Sequence, residues 1–177
     1  KEVDYIVLSP GISLKTFRNK KLKKYSNKIL SDIDLVFLSK KNFKSIIVTG
    51  TNGKSTTCKI IEHLLKKNKF KTLLGGNIGR PILDLKIKKN FFLIVEASSF
   101  QLAHSKYICP DYALLLNITN DHLDWHVSMK NYIDSKFKIF NLQKKNQYSF
   151  VNNKFIRVFK KKNLSGKLIT PNLRDYI

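Results

Sequence analysis

Cysteine is scarce: the 177 residues hold only Cys58 and Cys109, far apart in the chain. Their separation matches no metal-ligand spacing, so they are read as packed, reduced thiols with no chemistry of their own. Long apolar runs are missing too. None approaches the ~18 residues of a membrane span, and Lys1 to Pro10 lack the charged-then-apolar layout of a secretory signal. The expected setting is cytoplasmic, with no membrane partner. Nothing repeats internally. Acidic residues are few, 12 against 34 lysines and arginines, for a formal charge of +22. Such a balance invites a nucleic-acid reading. Arginine, however, occurs only at positions 18, 80, 157 and 174, and lysine is spread along the whole chain. The densest runs, 18–24 and 160–162, show neither arginine-led base readout nor interleaved stacking aromatics. Most of the charge is therefore read as solvated surface, and no nucleic-acid partner is expected.

What is present is enough apolar residue, 42%, for a core of ordinary domain size. The run Ile46-Ile47-Val48 leads directly into Gly50-Thr51-Asn52-Gly53-Lys54-Ser55-Thr56-Thr57. A buried strand that ends in a glycine-turned loop and then enters a helix aims backbone N–H groups and the positive end of the helix dipole at phosphate. Lys54 adds mobile charge and Ser55 a Mg²⁺-ligating hydroxyl. The generic phosphate loop has a glycine where Val48 stands, so this loop is a variant whose first glycine comes two residues later. Ile60, Ile61, Leu64 and Leu65 give the following helix its expected apolar face.

Apolar segments at 71–74, 91–95 and 112–116 read as further strands, separated by helix-length stretches. That pattern predicts an α/β fold with a mostly parallel sheet covered on both faces, whose ligands sit beyond the carboxyl ends of the strands. Lys54, Asn77, Glu96 and the cluster Asp121-His122-Leu123-Asp124 all follow strand ends. Glu96 suits a Mg²⁺ ligand beside nucleotide phosphates or a turn carboxylate. His122 is either a ligand or a hydrogen-bonded structural residue. A helix over 128–142 has Met129, Tyr132, Ile133, Phe137 and Phe140 on its apolar face, with Lys136 in the middle of the stripe. Either the Lys136 stem snorkels to the rim, or burial favours the neutral amine, a base or nucleophile able to take up carbon dioxide. A short strand at 5–8 precedes Ser9-Pro10-Gly11, and the polar stretch Ser39 to Lys44 is the expected domain boundary.

These separated segments together resemble the ATP-dependent Mur ligases of peptidoglycan synthesis. The variant loop is followed in the family's order by Gly76-Asn77-Ile78-Gly79-Arg80-Pro81, by Glu96-Ala97-Ser98-Ser99-Phe100-Gln101-Leu102 and by Asn117-Ile118-Thr119-Asn120-Asp121-His122-Leu123-Asp124. Ser128-Met129 to Lys136 completes the series. Ser98 to Leu102 and the early Ser9-Pro10-Gly11-Ile12 look like the D-glutamate-adding branch. The resemblance implies a sheet of P-loop NTPase type: residues 1–42 would end a Rossmann-like UDP-binding domain, and 43–177 would be an incomplete central ATP-binding domain. The family's C-terminal domain would be absent and the isolated piece inactive.

The activity implied is amide formation between UDP-N-acetylmuramoyl-L-alanine and D-glutamate through an acyl phosphate, with ATP and Mg²⁺, by a monomer. Gly50 to Thr56 would hold the nucleotide. Ser55 and Glu96 would hold one Mg²⁺, and His122 with a carbamylated Lys136 a second. Lys54, Lys136 and His122 would be catalytic; Gly11, Asn77, Ser98, Gln101 and His122 would contact the UDP-sugar substrate. At Asn120, Ala103, Trp125 and Val127 the chain departs from the family's usual proline, acid, arginine and glycine. The alternatives are another amide-forming Mur-type or folylpolyglutamate synthetase-like ligase, a nucleotide-binding switch, and a basic nucleic-acid-binding module.

Overall fold

The structure is a computed structural model that describes residues 3–14, 20–39 and 42–170. Arg18, Asn19 and Arg174 lie outside them, so the first basic run is described only from residue 20. At the start of the chain, β1 (Ile6–Val7) pairs in parallel with β2 (Ile29–Leu30), and the short helix α1 (Lys20–Lys23) lies between them in sequence. The helix α2 (Asp32–Leu38) follows. Ser31 caps it, its Oγ accepting from the Asp34 amide at 3.2 Å while Asp34 Oδ2 accepts from the Ser31 amide at 3.0 Å. Asp34 is wholly buried and also accepts from the amides of Lys106 and Tyr107. One carboxylate thus starts a helix and ties the first forty residues to the chain beyond residue 105.

The rest is organised by one parallel six-stranded sheet. Its strands are β3 (Lys44–Thr49), β4 (Thr72–Gly76), β5 (Phe92–Glu96), β6 (Tyr112–Leu115), β7 (Tyr148–Val151) and β8 (Lys167–Ile169), in the order β4-β5-β3-β6-β7-β8. The strands at 46–48, 91–95 and 112–116 are found within a residue or two of expectation. The one expected at 71–74 runs on to Gly76, because its pairing with β5 continues through Gly75 with Val95 and Gly76 with Glu96. β3 is central, and its Ile47 and Val48 are fully buried, as a strand covered on both faces requires. The lysine-rich end was uninformative in sequence; it supplies β8 and the helix α7 (Ile156–Lys161), whose Phe159 packs on Phe140.

Two expected helices differ in detail. α3 (Lys54–Lys67) follows the loop, but it buries a narrow stripe, with Cys58 innermost and Ile61 and Leu65 against the sheet; Ile60 and Leu64 are more than half exposed. Positions 60 and 64 lie about 100° around the helix from 61 and 65, which takes them off the face that the sheet can reach. The helix expected over 128–142 is α6 (Met129–Phe137), capped by Ser128 Oγ, and a 3₁₀ turn over Lys138–Phe140 continues it. Its terminal carbonyls are taken up by i→i+3 bonds such as Asn141 N–H to Lys138 O. Two shorter helices, α4 (Ser99–His104) and α5 (Leu123–His126), follow β5 and β6.

Candidate functional site

The loop after β3 turns on Gly53, whose φ of +81° is the left-handed conformation that only glycine adopts without strain. Thr57 N–H closes the first turn of α3 on Gly53 O. The amides of Lys54, Ser55 and Thr56 therefore precede the helix's own ladder and point out of its positive end. Asn117, directly after β6, fixes the loop from the side. Its Oδ1 accepts from the amides of Thr51 and Asn52 at 3.1 and 2.9 Å, and its Nδ2 donates to Asn52 O at 3.0 Å. Lys54 Nζ donates to Thr51 O at 2.8 Å, which holds the ammonium against the concave side of the loop.

Gly76 brings the second element in. Its φ is +105°, and a Cβ there would lie 2.4 Å from Glu96 O, so only glycine lets the end of β4 approach the end of β5 this closely. Asn77 N–H then bonds Glu96 O at 2.8 Å, and Asn77 Nδ2 donates to Glu96 Oε1 at 2.9 Å. The other carboxylate oxygen, Oε2, accepts from Ser55 Oγ at 2.7 Å. Glu96 is buried, so both oxygens are held rigidly by donors. A hydroxyl and a carboxylate in contact beside a phosphate loop are the hard oxygen donors that Mg²⁺ takes, and the pair fits that ion. Among the described residues no group of three His, Cys, Asp or Glu side chains converges on a metal position.

Lys136 is 1% exposed, and its Nζ goes inward, donating to Gly50 O at 2.8 Å and lying 4.7 Å from the centre of the Tyr132 ring. The snorkelling alternative is thereby replaced by true burial. Desolvation, reinforced by the nearby Lys54 and opposed by Asp121, pushes its pKa down from 10.5 to about 7. Tyr132, below it, shares a hydrogen bond with Thr51 Oγ1 at 2.9 Å, so α6 is coupled to the loop through two side chains. His122 stands at the start of α5 with a φ of +51°, its Nε2 3.3 Å from Asp121 Oδ2 and its ring 4.7 Å from that of Phe100.

A cleft of about 80 Å³ collects these groups. Gly50, Thr51, Lys54, Asn77, Ser98, His122 and Lys136 line it together, joined by Ser99, Phe100 and Tyr132. Glu96 and Ser55 stand just behind Asn77 and Lys54. Gly11 and Gln101 are elsewhere. Gly11 O accepts from Trp125 Nε1 at 3.2 Å. Gln101 caps α4 through Ser98, and its Nε2 donates to the Asp32 carboxylate at 3.0 Å. Asn52, Gly53 and Thr56 belong to the loop and the first turn of α3. Asn117, Tyr132 and Phe100 were not singled out by sequence reasoning. Each carried a signal that went unused: Asn117 is a polar residue immediately after a buried strand, Phe100 lies in the Glu96–Leu102 segment, and Tyr132 shares the apolar stripe of Lys136.

The family description "Mur ligase middle domain" matches residues 48–171. A UDP-N-acetylmuramoylalanine--D-glutamate ligase of Rickettsia felis is 47% identical over 150 residues, which are 85% of this chain and 33% of that protein. The ligase of the same name from Wolbachia pipientis is 46% identical over 142 residues, 79% of this chain and 28% of the relative. The chain thus spans about a third of the length of the curated relatives it matches. Among solved structures, a MurF ligase from Thermotoga maritima in complex with ADP superposes with a TM-score of 0.59 at 19% identity, over 94% of this chain and 47% of that one; the likeness is one of fold. With the loop after β3 and most of its length inside that match, the chain belongs to the Mur ligase family as a bearer of the middle domain.

Proposed function

We propose that the protein to which this chain belongs is an ATP-dependent ligase that joins D-glutamate to UDP-N-acetylmuramoyl-L-alanine in peptidoglycan synthesis, and that this chain carries its ATP-binding centre. The observation that carries the reading is the buried Lys136 amine, held 2.8 Å from the carbonyl of the first phosphate-loop glycine. A carboxylate-activating site has to bring a triphosphate and a carboxylate together against their repulsion, and positive charge fixed at the meeting point, from Lys54 and from the Mg²⁺ that a carbamylated Lys136 would hold, lowers that barrier.

In this reading the amides of the loop and Lys54 hold the β- and γ-phosphates. The substrate carboxylate attacks the γ-phosphorus, ADP departs, and the acyl phosphate that results is attacked at carbon by the D-glutamate amine, which releases phosphate. Asn77, Ser98 and His122 position the UDP-sugar from the cleft wall, with Gly11 and Gln101 acting from the neighbouring turn and the α4 cap. Ser55 and Glu96 would hold one Mg²⁺, and His122 with a carbamate on Lys136 a second; the ions would neutralise the phosphate oxygens. The carbamate forms when the neutral amine adds carbon dioxide and loses a proton, for which a pKa of about 7 leaves much of the amine ready at neutral pH. Residues 1–42 are assigned to the end of the UDP-binding domain and 43–177 to the central domain. The enzyme would act on small molecules as a cytoplasmic monomer.

The test is amino-acid-dependent phosphate release by the full-length gene product with ATP, Mg²⁺ and UDP-N-acetylmuramoyl-L-alanine. D-glutamate alone should support turnover, and Lys136→Ala should abolish it, with partial rescue by a short carboxylic acid. Turnover with L-lysine or diaminopimelate in place of D-glutamate would refute the substrate assignment.

A further inference from the structure

Trp125 is the chain's one tryptophan, and it stands outside the cleft. It is nonetheless the meeting point of two parts of the molecule. Its Nε1–H donates to Gly11 O at 3.2 Å, and its own carbonyl accepts from Ser13 Oγ at 3.1 Å. Between these two bonds Ile12 O lies 2.8 Å from His104 Nε2. A carbonyl can only accept, so His104 presents Nε2–H, and burial lowers its pKa and keeps the ring neutral. Three consecutive residues, 11 to 13, are thus each bonded to α4 or α5.

The rings reinforce the bonds. Trp125 packs on Phe100 at 5.0 Å between centroids and edge-on to His104 at 5.7 Å, and Phe100 in turn touches His122 at 4.7 Å. Phe100 and His122 line the cleft. A continuous path of ring contacts therefore runs from the 9–13 turn to the cleft wall, and Trp125 is its middle link. Indole suits this place because it has one donor at a fixed position and only two side-chain torsions to order, whereas a guanidinium on a long stem loses more rotamer freedom.

We propose that Trp125 is a positioning residue that clamps the 9–13 turn to the cleft wall and thereby sets affinity for the UDP-sugar substrate, without acting on the nucleotide. The substrate half of this inference rests on the function proposed above; the clamp itself does not. Trp125→Phe keeps an aromatic ring while removing the N–H and part of the indole's bulk, so it should fold. Trp125→Leu removes the ring stacking as well.

Two measurements on the full-length protein decide the matter. Amide hydrogen exchange should speed up about fivefold or more at residues 11–13 in Trp125→Phe, and further in Trp125→Leu, with the β3 and β5 amides unchanged. KM for the UDP-sugar substrate should rise about fivefold in Trp125→Phe and more in Trp125→Leu, while kcat and KM for ATP stay within about twofold, the signature of binding lost equally from the ground and transition states. Unchanged exchange at 11–13 overturns the clamp. Faster exchange with unchanged KM overturns its role in substrate affinity. A wild-type protein with no affinity for the UDP-sugar overturns the functional reading, and the exchange data still decide the clamp.

Discussion

Val127 holds a left-handed backbone, φ +69°, although it is β-branched and more than half exposed. The left-handed region costs an ordinary residue roughly 1–2 kcal/mol, and glycine there gives back part of that through its greater unfolded freedom. Val127→Gly should therefore raise stability by about 0.5–1 kcal/mol, seen as a higher urea midpoint at unchanged slope; a lower midpoint would show that the valine is unstrained. The sequence marked this position, since glycine is usual there in the family, but gave no conformation. Lys136 yields a second prediction. Its pKa falls from 10.5 unfolded to about 7 folded, so between those values the unfolded chain binds a proton that the folded chain has released. Stability should rise with pH across that window, and below it the full cost of burying the ammonium is present. In bicarbonate-free buffer, Lys136→Met should be more stable than the parent near pH 6 and lose most of the rise in Tm between pH 7 and pH 10. An identical slope in both proteins would contradict the burial of the charge. The place of Lys136 on the apolar stripe was legible from spacing, because four-residue steps put it there; its burial in place of snorkelling, and its target, Gly50 O, were not, because the contact joins residues 86 apart.

At the scale of elements, the glycine loop after β3 is shaped by the strand ends beside it. β6 delivers Asn117, whose side chain makes three hydrogen bonds to residues 51 and 52. Asn117→Ala should leave the sheet intact and loosen the loop: nucleotide affinity should fall at least about tenfold, with a stability loss of roughly 1–3 kcal/mol from the unsatisfied groups. Calorimetric titration with ATP and Mg²⁺ would measure the first, and undiminished affinity would show that the loop is shaped by its own glycines. Strands 3 to 6 were legible because each is a continuous apolar run bounded by polar turns. α2 and β2 were not: besides its local bonds to Ser31, Asp34 is a buried acid that accepts from amides more than seventy positions away. The exposed Ile60 and Leu64 show the limit of periodicity: four apolar residues on α3 define a face wider than the stripe that the sheet covers.

Over the whole molecule, the six-stranded parallel sheet places its strands' carboxyl ends on one side, and that single fact gathers Lys54, Asn77 and His122 at the cleft, with Glu96 bonded to Asn77 behind them. The crevice was therefore foreseeable from the order of strands and polar residues, and the resemblance already implied that Ser55 lies beside Glu96, whereas the size of the crevice needed the fold. Among the described residues, the two lysines that line the cleft, Lys54 and Lys136, are partly or wholly buried, and the other lysines are mostly exposed. The central claim is that this cleft activates a carboxylate by phosphorylation. It is tested most directly by running the full-length enzyme on UDP-N-acetylmuramoyl-L-alanine labelled with ¹⁸O in its free carboxylate, and reading the released phosphate by ³¹P NMR. The account predicts one ¹⁸O per phosphate, carried over from the acyl phosphate; phosphate free of label alongside amide product would contradict it.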